Sequence, residues 1–540
     1  MSSSPTPPVY PHTLPQPLER LHCAADARRM DAWTIETLGV PGIVLMEHAG
    51  RAVAESIAAH LHADPSSAAR AAEGAVVVLA GPGNNGGDGW VCARHLWERK
   101  IPCIVLSMRP PGELCGDAHL AAEMFVRCAR ELGWHPPSGD ACWEVPAAPE
   151  DWCRTLDSVR PSLVVDALFG IGLTRPLIAP CDVIVRHCQA RQWPVWSVDM
   201  PSGLPSDGAA PKGPAFRAHT CITFGKRKIA HVSEPGKSYC GEVQVADIGL
   251  HEMPDAPAEP VWRVPTWRDF SPARETETEN AHKGHFGHVG VLAGSPRTAG
   301  ASQLSAHAAL RIGAGLVTKL VSPPLTPDSA FPECMQRDVE DKARLAGLDA
   351  LVVGPGLGQS AEAQESAKSL LYDAAMRDLP VVIDADALPL CLSLKNLRGV
   401  ATPHPGEAAR LLDSSTQAIQ QDRLAAARAL QEMSARQGHN LVWVLKGACP
   451  IVVVPAGNGL WICDGGNPAL AVAGSGDVLA GALGALLAGG MPPEHAALRA
   501  VRLHQSAGET LGQHQRRGHF ARQIADEMGT IHNGVGVYGI

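Results

Sequence analysis

The sequence predicts an α/β protein of two domains, each built on a doubly wound parallel sheet. Short apolar runs rich in β-branched residues, such as "AVVVLA" at 75–80, alternate with stretches of helical spacing. Most of these runs end at polar or Gly-rich turns, where an open parallel sheet binds its ligands. The third observation is length, because 540 residues exceed what a single core usually organises.

The first half opens with helical spacing in "ADARRMDAWTIETL" and "IVLMEHAGRAVAESIAAHL". Its strand candidates follow in the order "AVVVLA", "CIVLSM", "SLVVDALFG" and "PVWSVDM". The second half starts again with the Gly-rich "HKGHFGHVGVLAGSPRTAGAS" and continues through "LDALVVGPGLG", "PVVIDADAL", "LVWVLKGA" and "AVAGSGDVLAGALGALLAGG". The halves share no obvious repeat, which favours two different folds over a duplication.

Composition sets the expected domain boundaries. Residues 1–22 are Pro-rich and predict a disordered tail. We expect the first domain at 23–250, a linker rich in proline and charge at 251–262, and the second domain at 263–540. The longest apolar stretch, "VLAGALGALLAGG", is too short to cross a membrane and predicts a buried helix, so we expect no membrane association.

Charge and aromatic content argue against a nucleic-acid partner. The chain carries 46 basic and 55 acidic residues and only 4% aromatic residues, so it offers neither a basic footprint nor stacking platforms. Its 15 cysteines include no C-x-x-C pair, and their odd number argues against a full disulfide framework. We expect a cytoplasmic protein that forms a homo-oligomer.

Three strand ends in the first half carry oxygen-bearing side chains. They are Asn84, Asn85 and Asp88 in "GPGNNGGDGW", Asp166 in "VVDALFG", and Asp199 with Ser202 in "VDMPSGL". The amide, carboxylate and hydroxyl oxygens of Asn85, Asp166 and Ser202 suit a hard cation. The alternative for any one of these residues is that it only caps the helix that follows.

The segments "LMEHAGRAVAE", "GPGNNGGDGWVCARHL", "VVDALFGIGL", "VDMPSGL" and "ITFGKRK" resemble, in this order, the N-terminal domain of the NAD(P)H-hydrate epimerases across 23–250. The resemblance implies a Rossmann-like fold and a potassium ion held by Asn85, Asp166 and Ser202. It also implies that Asp199 lies beside the damaged nicotinamide as a catalytic residue. The implied contacts to the dinucleotide are Asn84, Asn85, Gly86, Gly87 and Asp88, with its diphosphate on Gly170, Ile171, Gly172, Leu173, Thr174, Arg175 and Pro176.

In the second half, "AGSGDVLAG" puts Gly474 and Gly476 at the start of an apolar helix, with Asp477 in its first turn. Backbone N–H groups and the helix dipole at such a start stabilise a transferring phosphoryl group. A carboxylate there can take the proton of an attacking hydroxyl. The alternative for Asp477 is a helix cap.

The segments "HKGHFGHVGVLAGSPRTAGA", "GAGLVT", "GPGLG", "DADAL", "TPHPGE" and "LKGA" precede this motif, and together they resemble the ADP- or ATP-dependent NAD(P)H-hydrate dehydratases across 264–509. The resemblance implies a ribokinase-like fold, Asp477 as catalytic base, and Mg²⁺ bound with ADP or ATP. Glu407 occupies the place where related sugar and vitamin kinases keep a glutamate near magnesium, with a helix cap as the alternative. The implied contacts to the hydrate are Ala301, Gly358 and His404, and those to the adenine nucleotide are Lys446, Gly447, Ala448, Cys449, Pro450 and Gly476.

Some positions depart from these families. Lys228 falls where the epimerases usually have a lysine, but the Pro-Gly that follows it there is replaced here by isoleucine and alanine. Pro450 removes a backbone N–H that the dehydratases commonly have, and with it one contact to the nucleotide. We assign no roles after residue 509. We do not expect His282, His285 and His288 to form a metal site, because partners at ligand spacing are missing.

The sequence therefore predicts a bifunctional enzyme that repairs hydrated NADH and NADPH. The first domain would epimerise the R and S hydrates, and the second would dehydrate the S form. The alternative is a vitamin or sugar kinase of ribokinase-like fold whose first half is a non-catalytic binding module. The fused first domain, with Asp166 and Asp199 in place, favours repair.

Overall fold

The computed structural model describes residues 18–63, 74–134, 142–173, 175–254, 260–264, 282–321, 332–455 and 459–533. The chain divides into two compact units, one of Arg20–Pro257 and one of Met1–Glu19 with Ala258–Ile540. Two short strands correct the predicted boundaries. Strand β1 (Glu19–Leu21) lies inside the predicted tail, and a strand at Val261–Val264 begins inside the predicted linker. Both pair within a sheet, which proline-rich surroundings conceal in the sequence.

The Arg20–Pro257 unit, called here the first unit, contains a seven-stranded sheet whose neighbouring strands are all parallel. Its strands are β2 (Val76–Ala80), β3 (Cys103–Ser107), β4 (Trp143–Glu144), β5 (Leu163–Ala167), β6 (Val195–Val198), β7 (Thr220–Phe224) and β8 (Glu242–Ala246). The spatial order β4-β3-β2-β5-β6-β7-β8 reverses its winding between β2 and β5. Ligands bind at such a reversal, beyond the carboxyl ends of the strands. The predicted parallel α/β architecture is confirmed.

The helices of the first unit cover this sheet. They are α1 (Ala24–Ala32), α2 (Gly42–Ala63), α3 (Asn84–Glu98), α4 (Gly116–Leu132), α5 (Pro149–Val159), α6 (Cys181–Arg191) and α7 (Lys237–Cys240). All five residues of β2, β3 and β5 are buried, as expected for apolar strands covered on both faces.

Helix α3 begins inside the Gly-rich stretch at 81–90. Two glycines in its first turns allow it to pack closely on neighbouring segments. A Cβ on Gly86 would lie 1.9 Å from the carbonyl oxygen of Gly81, and one on Gly89 would lie 2.7 Å from the Cβ of Ala167. The absence of a side chain at these two positions therefore lets α3 pack closely against the sheet.

The larger sheet has eleven strands in the order β1-β9-β18-β17-β16-β15-β14-β13-β10-β11-β12, and all of them except β1 lie within 258–540, in the second unit. Its further strands are β9 (Val261–Val264), β10 (His288–Leu292), β11 (Leu316–Val321), β12 (Met335–Asp338), β13 (Ala350–Val353), β14 (Val381–Ile383), β15 (Arg398–Ala401), β16 (Asn440–Leu445), β17 (Ile451–Val453) and β18 (Leu460–Cys463). In this spatial order, all neighbouring strands from β16 to β12 run parallel, and β17 runs antiparallel to both of its neighbours, β16 and β18.

The described α-helices of the second unit differ in how deeply they are buried. They are α8 (Ala299–Ile312), α9 (Ala361–Met376), α10 (Pro405–Leu411), α11 (Thr416–Gln421), α12 (Arg423–Arg436), α13 (Ser475–Ala488), α14 (Pro493–His514) and α15 (Ala521–Asn533). Every residue of α13 from 478 to 488 is buried in the core, so the longest apolar stretch is the buried helix that the sequence predicted. Within the described ranges, no helix combines the length and apolar character needed to span a membrane.

Candidate active sites

A cavity of about 600 Å³ lies in the first unit, beside the carboxyl ends of β2, β5 and β6. Residues of α1, α2 and the start of α3 form one side of it, and the loop after β5 forms the other. The predicted binding residues that line it are Asn84, Asn85, Asp88, Gly170, Ile171, Gly172, Leu173, Arg175 and Asp199. The switch point of the sheet thus brings together the motifs that follow β2, β5 and β6.

Asp199 and Lys228 form a buried ion pair on the wall of this cavity. Lys228 Nζ lies 2.6 Å from Asp199 Oδ1 and also donates to Thr223 Oγ1 at 2.8 Å. Burial alone would raise the pKa of Asp199, but the charge of Lys228 and its hydrogen bond hold that pKa below its usual range. Asp199 also has φ of +63°, a left-handed backbone conformation that is uncommon for a residue other than glycine. The lysine is therefore present and paired despite the altered residues that follow it.

Two further carboxyl groups in this cavity titrate unusually. Burial and then the charge of Asp199 raise the pKa of Asp31, on α1, to about 6. Burial, reinforced by Asp199 and Asp31, raises the pKa of Asp88 well above its usual value. The sequence analysis missed Asp31, because the quoted stretch that contains it, "ADARRMDAWTIETL", indicated only a helix. Asp31 lies one helical turn after Arg28, another lining residue.

Asp166 and Ser202, two of the three predicted cation ligands, contact each other and do not line the cavity. Asp166 is fully buried, and Ser202 donates to it from Oγ at 2.5 Å and from its backbone N–H at 2.7 Å. Burial raises the pKa of Asp166 to about 6 despite these hydrogen bonds. No basic side chain in the described ranges forms an ion pair with Asp166. A buried carboxylate with this surplus of negative charge fits a cation.

The side chain of Asn85, the third predicted ligand, lies near Gly170 in the loop after β5. A Cβ on Gly170 would lie 3.0 Å from Asn85 Oδ1 and 3.5 Å from Asp199 Oδ2, so Gly170 leaves room between the two side chains. Asn85 Nδ2 is buried and has no hydrogen-bond partner among the described residues. Of the remaining predicted contacts, Gly86, Gly87 and Pro176 do not line the cavity, and Thr174 lies outside the described residues.

The second candidate site lies at the start of helix α13. Gly474 adopts φ of +86° as the N-cap, and Asp477 stands in the first turn, where backbone N–H groups have no partner within the helix. Burial and then the charge of Asp384 raise the pKa of Asp477 to about 6, although Lys446 opposes the shift. A carboxyl group with a pKa near 6 is suited to accept a proton at neutral pH.

Lys446 lies opposite this helix start, at the carboxyl end of β16. Its Nζ donates to Asp384 Oδ1 at 2.7 Å and lies 3.8 Å from Glu407 Oε2. Burial alone would lower the pKa of Lys446, but Asp384 and Glu407 raise it, so the ammonium stays charged. A Cβ on Gly476 would lie 3.5 Å from Lys446 Nζ, so the absence of a side chain at Gly476 keeps the cation next to the helix start.

Asp384, which follows β14, is a functional candidate that the sequence analysis did not assign. It is 2% exposed and accepts Thr402 Oγ1 at 2.8 Å on the same oxygen that contacts Lys446. Its second oxygen, Oδ2, faces Gly476, at 3.8 Å from a Cβ built there. The signal was available, because Asp384 begins the quoted "DADAL" directly after a buried strand.

The predicted substrate contacts lie on three other segments of the second unit. Ala301 lies in the first turn of α8, and Gly358 donates its N–H to Asp386 Oδ2 at 2.9 Å. His404 caps α10 through Nδ1, and its own N–H donates to Glu407 Oε2 at 2.7 Å. The capping alternative for Glu407 is thus present in the structure, together with its proximity to Lys446.

A buried arginine shapes the predicted nucleotide turn. Arg423 is 1% exposed, and its Nη2 donates to the carbonyl oxygens of Lys446 at 3.3 Å and Cys449 at 3.1 Å. A Cβ on Gly447 would lie 2.5 Å from this guanidinium, and Ala448 follows in the same turn. Pro450 accepts the N–H of Cys463 through its carbonyl oxygen, so it continues the sheet despite lacking a donor.

His504 on α14 is a further residue that the motifs did not reveal. Its Nε2 lies 2.9 Å from Ser475 Oγ and 3.1 Å from the Ser475 carbonyl oxygen, at the first residue of α13. Burial lowers the pKa of His504 to about 4, so the ring is neutral.

The histidines at 282–288 lie elsewhere: His282 caps a short 3₁₀ helix, and His288 Nε2 contacts Thr318 Oγ1 at 2.7 Å.

Both halves match known families. The family described as NAD(P)H-hydrate dehydratase matches residues 289–529, and the one described as YjeF-related protein N-terminus matches residues 42–230. The bifunctional NAD(P)H-hydrate repair enzyme Nnr of Moorella thermoacetica is 35% identical over 535 residues, covering 93% of this chain and 94% of that protein. The enzyme of the same name from Escherichia coli strain K12 is 32% identical, covering 90% of this chain and 89% of its own length.

Several solved structures are similar to about half of the chain. The ADP/ATP-dependent NAD(P)H-hydrate dehydratase from Bacillus subtilis, co-crystallised with ATP and Mg²⁺, is 29% identical with a TM-score of 0.41. The match covers 50% of this chain and 97% of that protein.

Proposed function

Because this chain belongs to the bifunctional NAD(P)H-hydrate repair enzymes, we propose that its first unit interconverts the R and S hydrates of NADH and NADPH and its second unit dehydrates the S form at the expense of ADP or ATP. The observation that carries the proposal is the start of α13. There, burial and the charge of Asp384 raise the pKa of Asp477 to about 6, and Asp477 stands opposite the charged Lys446, which pairs with Asp384.

In the second unit, Asp477 accepts the proton of the ring hydroxyl as that oxygen attacks the terminal phosphorus of the nucleotide. The bond between phosphorus and the leaving nucleotide oxygen breaks, and the N–H groups at the start of α13 and the Lys446 ammonium stabilise the charge that develops. Phosphate is then a far better leaving group than hydroxide. Its departure with the electrons of the carbon–oxygen bond, and loss of a ring proton, restore the dihydronicotinamide.

Magnesium fits the same corner of the second unit. Asp384 Oδ2 and Glu407 offer carboxylate oxygens, the donors that Mg²⁺ prefers, and these two acids outnumber the single lysine between them. When bound with the nucleotide, Mg²⁺ would neutralise phosphate charge. Lys446 and the turn held by Arg423 orient the nucleotide beside it.

In the first unit, the hydrated nicotinamide lies beside Asp199 and Lys228, and the diphosphate lies on residues 170–176. Potassium would be held by Asn85, Asp166 and Ser202. Its charge would compensate the buried Asp166 carboxylate, and it would fix the loop after β5, to which Ser202 donates at the Phe169 carbonyl oxygen at 3.0 Å. Asp199 and Lys228 supply a paired acid and base at the ring.

The alternative of a vitamin or sugar kinase is not favoured, because relatives named as bifunctional repair enzymes align with nearly the whole chain. We retain as predictions that the protein works in the cytoplasm and forms a homo-oligomer, which fractionation of cells and light scattering on the purified protein would test.

An assay on purified S hydrate of NADH tests the dehydratase proposal. With ADP or ATP, we expect nicotinamide absorbance to recover and one phosphate to appear for each NADH restored. The nucleotide that supports the higher kcat/KM is the physiological phosphoryl donor. Accumulation of a stable phosphorylated product without recovery of NADH would contradict the proposal and support a kinase.

A further inference from the structure

The basic residues that line the cavity of the first unit are not equivalent. Lys228 lies 2.6 Å from Asp199 and is neutralised by it. Arg28 and Arg175 also line the cavity, and neither forms an ion pair among the described residues. The charge of Lys228, beside the proposed ring site, is therefore balanced by Asp199, whereas the guanidinium groups of Arg28 and Arg175 can pair with an anionic ligand.

Arg28 lies beside the loop that follows β5. Its Nη2 donates to the carbonyl oxygen of Ile171 at 3.4 Å. Residues 170–173 of that loop line the same cavity. One bond to a carbonyl occupies one of five guanidinium N–H donors, so the remaining donors can bind oxygens of a ligand on this loop.

The position of Arg28 on α1 separates it from the ring site. Asp31 follows one turn later on the same helix face, about 4.5 Å further along the axis, and its pKa responds to the charges of Asp199 and Lys228. The α1 wall of the cavity thus presents a carboxyl group toward the Asp199 end and a guanidinium toward the loop. This polarity matches a dinucleotide that places its ring at one end and its negative charges at the other.

We propose that Arg28 is a further substrate-binding residue of the first unit, which contacts the diphosphate of the hydrated dinucleotide from α1, next to residues 170–173. The inference rests on the proposed function of this unit. It assigns Arg28 a contact with bound substrate, so its loss weakens binding and leaves proton transfer at the ring intact.

The adjacent Arg29 provides a matched control. Arg29 is exposed on the same helix and does not line the cavity. In the full-length protein, Arg28→Gln should raise the KM of epimerisation about 10- to 100-fold, the worth of a charge-assisted hydrogen bond, with little change in kcat. Arg29→Gln should leave both unchanged. Arg28→Lys should recover part of the loss, because it keeps the charge without the planar fork.

Inhibition of epimerisation by ADP-ribose separates a diphosphate contact from a structural role. We expect Arg28→Gln to raise the inhibition constant of ADP-ribose by the same factor as KM, while that of adenosine, which lacks phosphate, stays constant. A thermal unfolding curve and a kcat of epimerisation that match those of the wild type confirm that the first unit of each variant is folded.

Equal KM values for Arg28→Gln and Arg29→Gln would overturn the inference and leave the proposed function standing. A loss of affinity shared by ADP-ribose and adenosine, or a fall in kcat alone, would also overturn it. A wild-type protein that does not interconvert the two hydrates would overturn both proposals.

Discussion

At the residue scale, the two proposed catalytic aspartates are held in opposite states by their neighbours. Lys228 lies 2.6 Å from Asp199 and holds its pKa low despite burial. Asp477 forms no ion pair with a basic side chain in the described part of the chain, and burial and the charge of Asp384 raise its pKa to about 6. These opposed pKa shifts keep Asp199 charged at the ring site of the first unit and give Asp477 a pKa suited to accepting a proton in the second unit.

Asp477→Asn tests the base directly. It keeps the size of the side chain and the start of α13 but cannot accept a proton, so turnover of the S hydrate should fall by about two to four orders of magnitude. Nucleotide should still bind, which calorimetry would measure. In the wild type, dehydration should decline as pH falls through about 6, because protonated Asp477 cannot act as a base.

Epimerisation by the Asp477→Asn protein is the internal control, since it belongs to the other unit. If Asp477 were only a helix cap, the substitution would change stability by about 1 kcal/mol or less and leave turnover near the wild-type value. That result would remove the assigned base.

Asp166→Ala tests the proposed cation site. Removing the only carboxylate among the three predicted ligands should abolish most epimerase activity in any salt, whereas wild-type activity should be higher in potassium than in sodium. Initial rates of hydrate interconversion in matched chloride buffers measure both effects. The dehydratase rate should not change. Equal wild-type rates in the two salts would argue against a potassium site.

At the element scale, helix starts carry the chemistry of both units. Helix α3 starts directly after β2 and α13 starts at a left-handed glycine, and each presents its first turn to a candidate site. The glycines in these turns have different roles. Gly86 allows α3 to approach the Gly81 backbone, while Gly476 leaves space beside Lys446.

Gly86→Ala and Gly83→Ala form a matched pair at the start of α3. The first should destabilise the protein by about 1–3 kcal/mol or more, because its Cβ would lie 1.9 Å from the Gly81 carbonyl oxygen. At Gly83 a Cβ meets nothing within 4 Å, so stability should be almost unchanged. Chemical denaturation of the isolated first unit measures the difference. Equal stability of the two variants would contradict the packing role of Gly86.

The sequence was informative where chemistry lies at a strand end. Apolar runs followed by polar or Gly-rich turns located Asp199 and the cavity loop, because strand ends of a parallel sheet meet at one edge. It was uninformative for Asp31 and His504, which lie within amphipathic helices and reach their sites only through tertiary packing. Strands β1 and β9 were missed because each is short and adjoins proline-rich sequence.

At the scale of the whole molecule, the division at Pro257 predicts that the activities separate. A fragment of residues 258–540 contains every strand of the larger sheet except β1. We expect it to fold and to dehydrate only the S hydrate, and to leave pure R hydrate unchanged beyond its spontaneous rate. Rapid consumption of both hydrates by this fragment would contradict the division of labour.

Mixing two variants shows whether the two activities in this chain are independent. Pure R hydrate of NADH is supplied with the better nucleotide, and recovery of nicotinamide absorbance is followed with Asp166→Ala, with Asp477→Asn, and with both proteins together. We predict slow recovery with the first protein, none beyond the spontaneous rate with the second, and recovery approaching that of the wild type with the mixture. A mixture no faster than its better component, or either variant alone matching the wild type, would contradict the account.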